Sequence, residues 1–110
     1  MTVLVDPLRD YPHAPLRLTR WCHMAGDRSF EELHEFAARL GIPRSRFQGD
    51  HYDLPPWLRA SAVALGAEEV STRELLSRMA GDRGDRARRR AATMLREAGR
   101  SSSVGRATPL

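Results

Sequence analysis

Asp50, His51, Tyr52 and Asp53 stand side by side in the stretch RFQGDHYDLPPW, residues 46–57. Carboxylates bind hard cations such as Mg2+, which keep several waters and often share a substrate phosphate. Imidazole takes and gives protons near neutral pH. The same residue types recur earlier in the chain: Asp6 closes TVLVD, and His23 and Asp27 are four apart in WCHMAGD. Together they outline metal-assisted hydrolysis of a phosphate ester or a nucleic acid. In that scheme Asp6, Asp53 and Asp27 hold Mg2+ or Mn2+, and His51, His23 and Tyr52 move protons. Arg73, beside a helix start, and Arg44 take the phosphate; His34 and Asp50 are secondary candidates.

Each of these residues also has a structural reading. Asp53 is well placed to cap a helix beginning at the following prolines. Asp6 ends a strand at a turn, His51 and Tyr52 suit a half-buried pair hydrogen-bonded to backbone, and Trp-Cys-His is a common core string. Cys22 and His23 are neighbours, so on a strand they point to opposite faces and do not act together. The His34-Glu35 pair lacks the second histidine of a zinc-protease helix, because position 38 is Ala. There is no Gly-rich phosphate loop, G-x-S-x-G elbow or CxxC pair. The aromatic residues are not interleaved with basic ones as on a single-strand stacking platform.

The elements that must bring these residues together are short. TVLV, residues 2–5, reads as a buried strand closed by Asp6 and Pro7. Residues 7–20 carry three prolines and read as a long irregular loop, with LTRWCHM at 18–24 either a strand or one helical turn. Ser29 and Glu32 form a capping box. Phe30, Leu33, Phe36, Ala37 and Leu40 follow on one helical face, ended by Gly41 and Pro43. SRFQG, 45–49, is a weak strand candidate. The next helix is capped by Asp53 and closed by Gly66, and AEEVS at 67–71 reads as a brief strand. Ser71 and Glu74 open another helix, and a last one covers about 85–98. Strands alternating with helices predict an α/β fold: a small three-stranded, mostly parallel sheet with helices packed on it. In such a sheet ligands collect outside the carboxyl ends of the strands. There Asp6, the Asp50–Asp53 cluster and Ser71-Thr72-Arg73 would share one rim.

The chain has 110 residues, enough for one small domain. Its net charge of +4 divides unevenly. Residues 1–80 hold 10 Arg and 11 acidic residues, residues 81–110 hold 8 Arg and 3, and there is no Lys. The expected organisation is a body at 1–81, a basic helical extension at 82–99 and a disordered tail at 100–110. Within that tail SSVGRA is similar to the translation of the D-arm region of a transfer-RNA gene. No run approaches the roughly 18–20 apolar residues of a membrane span. The acid at position 6 argues against a signal peptide, and the lone Cys22 suits a reducing cytoplasm. The expectation is a cytoplasmic protein whose partner is a phosphate-containing ligand or nucleic acid, with no membrane.

TVLVD, WCHM with Asp27, the block ELHEFAARLGIPRSRFQGDHYDL and LGAEEVSTREL together resemble a small bacterial family, domain of unknown function 4031. The resemblance spans about residues 2–80. It implies a compact bacterial domain in which Asp6, His23, Asp27, His34, His51, Tyr52 and Asp53 belong to a recurring set, and it implies no activity. Beside the metal-dependent hydrolase stand two other classes: a non-catalytic nucleotide or nucleic-acid binding or regulatory module, and a protein-interaction accessory.

Overall fold

A computed structural model describes residues 2–12 and 18–107, the last eight of these as backbone only. Strand β1 (Val3–Val5) is buried along its whole length and pairs antiparallel with β3 (Arg20–Gly26), Leu4 lying opposite Ala25. The short β2 (Arg9–Asp10) also pairs antiparallel with β3, Arg9 opposite Trp21. Val5 faces Met24 and Arg9 faces Trp21, so the first strand carries one more residue than β3 over this interval. That is a β-bulge at Asp6–Leu8, where a proline without an N–H is tolerated. Met24 pairs with both Val5 and Tyr52, which puts β4 (Tyr52–Leu54) on the other edge of β3. The fifth strand, β5 (Glu68–Glu69), runs parallel to β1 on its far side.

The sheet is therefore five-stranded and mixed, and among the described residues β1–β5 is its only parallel pair. This corrects the three-stranded, mostly parallel sheet expected from element order. WCHM is a strand, one of the two readings open for it, and it returns directly along β1 as a hairpin instead of crossing over. Of the long loop read at 7–20, residues 13–17 lie outside the described residues.

The sheet has two faces. Val3, Val5, Cys22, Met24, Tyr52 and Leu54 pack under α1 (Phe30–Arg39) and α2 (Pro56–Leu65), against Leu33, Phe36, Ala37 and Ala62. On the opposite face Leu4 and Ala25 meet Leu75 and Met79 of α3 (Thr72–Arg78) and the turn after it. Local signals set the helix ends. Ser29 Oγ accepts from the Glu32 amide at 3.3 Å, and Ser71 Oγ from the Glu74 amide at 3.1 Å. Gly66 closes α2 at φ 116°, a conformation that glycine adopts without strain.

Two local expectations fail together. Residues 44–46 form a single 3-10 turn in place of a strand, and Phe47 then bridges Tyr52 across a tight reversal closed by the Gln48 amide donating to the His51 carbonyl at 2.8 Å. The strand thus comes after Asp50-His51, not before. Asp53 lies inside it, and α2 begins at Pro55-Pro56 with no side-chain cap.

The final helix, α4 (Asp82–Ala107), starts earlier than expected and its backbone stays helical to Ala107 through most of the stretch read as a disordered tail. Residues 108–110 of that stretch lie outside the described residues. The radius of gyration is 17.8 Å, against about 13 Å for a compact chain of this length, because α4 projects from the body. Met94 and Leu95 on it are 61% and 74% exposed. Among the described residues no helix is long and apolar enough to cross a membrane.

Candidate metal centre

The strand period decides which side chains share a face. In β3, Cys22 and Met24 point into the core under α1 and α2, so His23 points to the other face with Ala25. In β4, Tyr52 and Leu54 are buried in the same core, so Asp53 between them faces the same way as His23, its cross-strand partner. The amide of Asp6 donates to the His23 carbonyl at 3.2 Å, continuing the β1–β3 register. Asp6 just past β1, His23 in β3 and Asp53 in β4 thereby form one row on that face, with Thr72 at the start of α3 over its Asp6 end. His51, two residues before Asp53, joins them from the turn.

Asp6 is completely buried. One carboxylate oxygen accepts from the His23 amide at 2.6 Å; the other accepts from His23 Nδ1 at 2.8 Å and from Thr72 Oγ1 at 2.8 Å. Burial alone would push its pKa up, but the hydrogen bonds from His23 and Thr72 outweigh it and hold the carboxyl below its ordinary value. Arg59 of α2 reaches the Asp6 carbonyl with Nε at 2.8 Å and Glu69 at 3.0 Å, fastening the bulge.

His51 is held in the same way. Its Nδ1 donates to Asp50 Oδ1 at 2.7 Å, and Asp50 Oδ2 meets Arg83 Nε at 3.3 Å. Its Nε2 lies 3.3 Å from Asp53 Oδ1. Burial would lower the His51 pKa, yet the hydrogen bonds to Asp53 and Asp50, with their charges, raise it above the ordinary histidine value. The rings of His23 and His51 lie 5.3 Å apart, edge to face. One donor atom from each of His23, His51 and Asp53 lies within 4.8 Å of the other two. Ligand atoms around a tetrahedral ion with bonds of about 2.0–2.2 Å are roughly 3.4 Å apart, so the His51–Asp53 separation already fits and His23 needs only a small approach.

Both histidines thus have Nδ1 on a carboxylate, and His51 turns Nε2 toward Asp53. That is how metal-bound histidines are usually oriented. A metal ion here would take His23, His51 and Asp53 as ligands, with Asp6 and Asp50 behind the histidines. Tyr11, absent from the sequence-based set, stands edge-on to His23 with ring centroids 6.4 Å apart. Burial and the Asp6 charge raise its pKa. Nothing local in YPHAP announces it, because the register after the bulge brings it there.

Other candidates lie elsewhere. Asp27 follows the end of β3, four residues from His23 and about 13 Å away at strand spacing, and its Oδ1 accepts from the Thr2 amide at 2.9 Å. Arg73 is exposed in the first turn of α3, and Arg44 is exposed in the 3-10 turn. Burial pushes the Cys22 thiol up to about 12, which leaves no thiolate to pair with His23.

Tyr52 lies on the opposite face, buried, with its hydroxyl 2.7 Å from His34 Nδ1 and Phe47 packed against both rings. Burial, followed by the Arg44 charge, lowers the His34 pKa, so the neutral ring is the favoured partner. A folded pKa below the unfolded value near 6.5 means stability that is present above about pH 6.5 and lost as pH falls through the folded value. Chemical denaturation of His34→Gln across this range is expected to show that loss removed. His51, with its raised pKa, contributes the opposite slope, lost as pH rises through its folded value, and remains in both proteins.

Searches of the curated proteins and of the solved structures each find no match. The family comparison does find one: residues 3–82 match the family described as "Protein of unknown function (DUF4031)", and the chain belongs to that family.

Proposed function

We propose that the chain binds a divalent transition metal at His23, His51 and Asp53 and uses it to hydrolyse a phosphate ester. The observation that carries this reading is the convergence of three donors while a separate carboxylate orients each histidine. Three protein ligands and an open side are the pattern of catalytic rather than structural sites. A metal there would acidify a bound water for attack on phosphorus and draw charge from the phosphate oxygens. The products are the freed alcohol and a phosphate with one ester bond fewer. Two imidazoles among three ligands favour Mn2+, Co2+ or Zn2+ over Mg2+, which prefers oxygen.

Nucleic acid is one source of such esters, and α4 presents Arg86, Arg89, Arg90 and Arg96 to solvent. Clustered arginines attract a phosphate backbone.

Metal binding is read by thermal melting. With Zn2+ or Mn2+ at about 100 times the dissociation constant, stabilisation is expected to be about 2.7 kcal/mol. For a domain of this size that raises Tm by about 10 °C or more. Equal melting with and without Mn2+, Co2+ and Zn2+ removes the reading.

A further inference from the structure

Beside the metal ligands, at the end of β4, a groove runs between the Arg44–Arg46 turn and the start of α2. Trp21, Trp57, Pro43 and Pro55 supply its flat walls, Arg46 its positive charge, and Asp53 is common to the groove and the metal ligand set. Resting on the hydrolase reading above, we propose that this groove seats the flat aromatic ring of a nucleoside phosphate, placing its ester at His23, His51 and Asp53.

Three observations point there. Trp57 is 63% exposed although it follows two prolines that fix its backbone, so a large apolar ring is held in water beside the indole of Trp21 in the same groove. The Trp21 indole is locked by its Nε1 donating to the Leu18 carbonyl at 2.9 Å, so the wall is pre-organised. Arg46 is exposed and makes no ion pair among the described residues, which leaves its guanidinium free for an anion. Indole and proline faces next to a free guanidinium suit a π-system with a negative charge attached, better than an aliphatic chain, which gains nothing from stacking or from the arginine.

Trp21 and Trp57 are the two tryptophans of the chain, so indole emission reports on this groove directly. The full chain is titrated with adenosine monophosphate, ribose phosphate and decanoate, first without metal and then with spectroscopically silent Zn2+. Saturable quenching by adenosine monophosphate is expected, with little response to the other two, and Zn2+ is expected to tighten it. Trp57→Ala keeps Trp21 as reporter and is expected to weaken binding about five- to hundredfold, the usual effect of removing one stacking partner. Its melting temperature should be unchanged, since the ring is largely in solvent. The proposal is overturned if ribose phosphate or decanoate matches the nucleotide, or if Trp57→Ala binds it like the parent. Zn2+ binding without any nucleotide response overturns the groove and leaves the metal reading standing. A Trp57-dependent response in a protein that binds no metal overturns the metal reading and leaves the groove as a ring site.

Discussion

Asp6→Ala is expected to destabilise the metal-free protein by about 3–5 kcal/mol, the range for stripping a buried charge from its partners. Small domains have about 5–15 kcal/mol in total, so the variant should be close to unfolding at room temperature, and urea denaturation measures it. The argument rests on what the carboxylate joins. It is 0% exposed, and it accepts from the amide and ring of His23 on β3 and from the hydroxyl of Thr72 on α3. Alanine leaves these donors facing a void. Asp6→Asn keeps the shape and one carbonyl acceptor, so its cost should be smaller, about 1–3 kcal/mol for the donors left mismatched. The folded pKa of Asp6 lies below its ordinary value. Its contribution is therefore present above about pH 4 and lost as pH falls through the folded value. An Asp6→Ala protein within about 1 kcal/mol of the parent would show that this carboxylate is not the joint between sheet and helix.

The parts of this architecture that rest on local chemistry are legible in the sequence, and those that rest on pairing are not. Ser29 with Glu32, Ser71 with Glu74, and Gly41 and Gly66 mark helix ends through interactions a few residues long, and the helices lie where these signals put them. Strand partners are chosen across tens of residues. WCHM could return beside TVLV or cross over, and nothing within either segment decides between them. The sheet is consequently mixed where element order predicts parallel strands. The alternation that separates Cys22 from His23 applies equally to Tyr52, which has His51 and Asp53 as neighbours. With the strand at Tyr52–Leu54, Tyr52 must face the core and His51 and Asp53 the other side. A strand at 45–49 would instead make HYD a loop in which all three side chains are free to converge.

The gathering of Asp6 with the Asp50–Asp53 cluster was expected at the carboxyl ends of parallel strands. The structure brings them together by a different route, through His23. That residue stands in the middle strand, opposite Asp6 on one side and Asp53 on the other. The roles divide accordingly. A fully buried carboxylate hydrogen-bonded to three donors has little capacity left for an ion, whereas Asp53, with a side chain 41% exposed, keeps open lone pairs. The sequence presents four similar aspartates, and in the proposed site only their burial and partners separate ligand from support.

His51→Ala and Asp50→Asn are expected to differ in a way that tests this division. Removing His51 takes away one of three ligands, and the Zn2+-dependent rise in Tm should vanish. Asp50→Asn leaves Nε2 in place but weakens the group that fixes the ring and raises its basicity. Losses of that kind cost about 10–100-fold in metal affinity, or about 1.4–2.7 kcal/mol of binding free energy. Folding should barely register the change. Asparagine keeps the shape of the largely buried Asp50 and an acceptor for His51 Nδ1, and the Arg83 it releases is 52% exposed, where an ion pair contributes about 0–1 kcal/mol. Arg83→Ala is the control, since it removes the outer pair and leaves Nδ1 of His51 on its carboxylate, so affinity should stay within about twofold of the parent. Calorimetric titration with Zn2+ ranks the three. If Asp50→Asn binds as tightly as the parent, the carboxylate behind His51 has no orienting role. If His51→Ala still binds, the metal lies elsewhere in the molecule. The pair Asp6 and Asp50 then separates the two duties of a supporting carboxylate: the deep one is measured mainly in folding, the shallow one mainly in affinity.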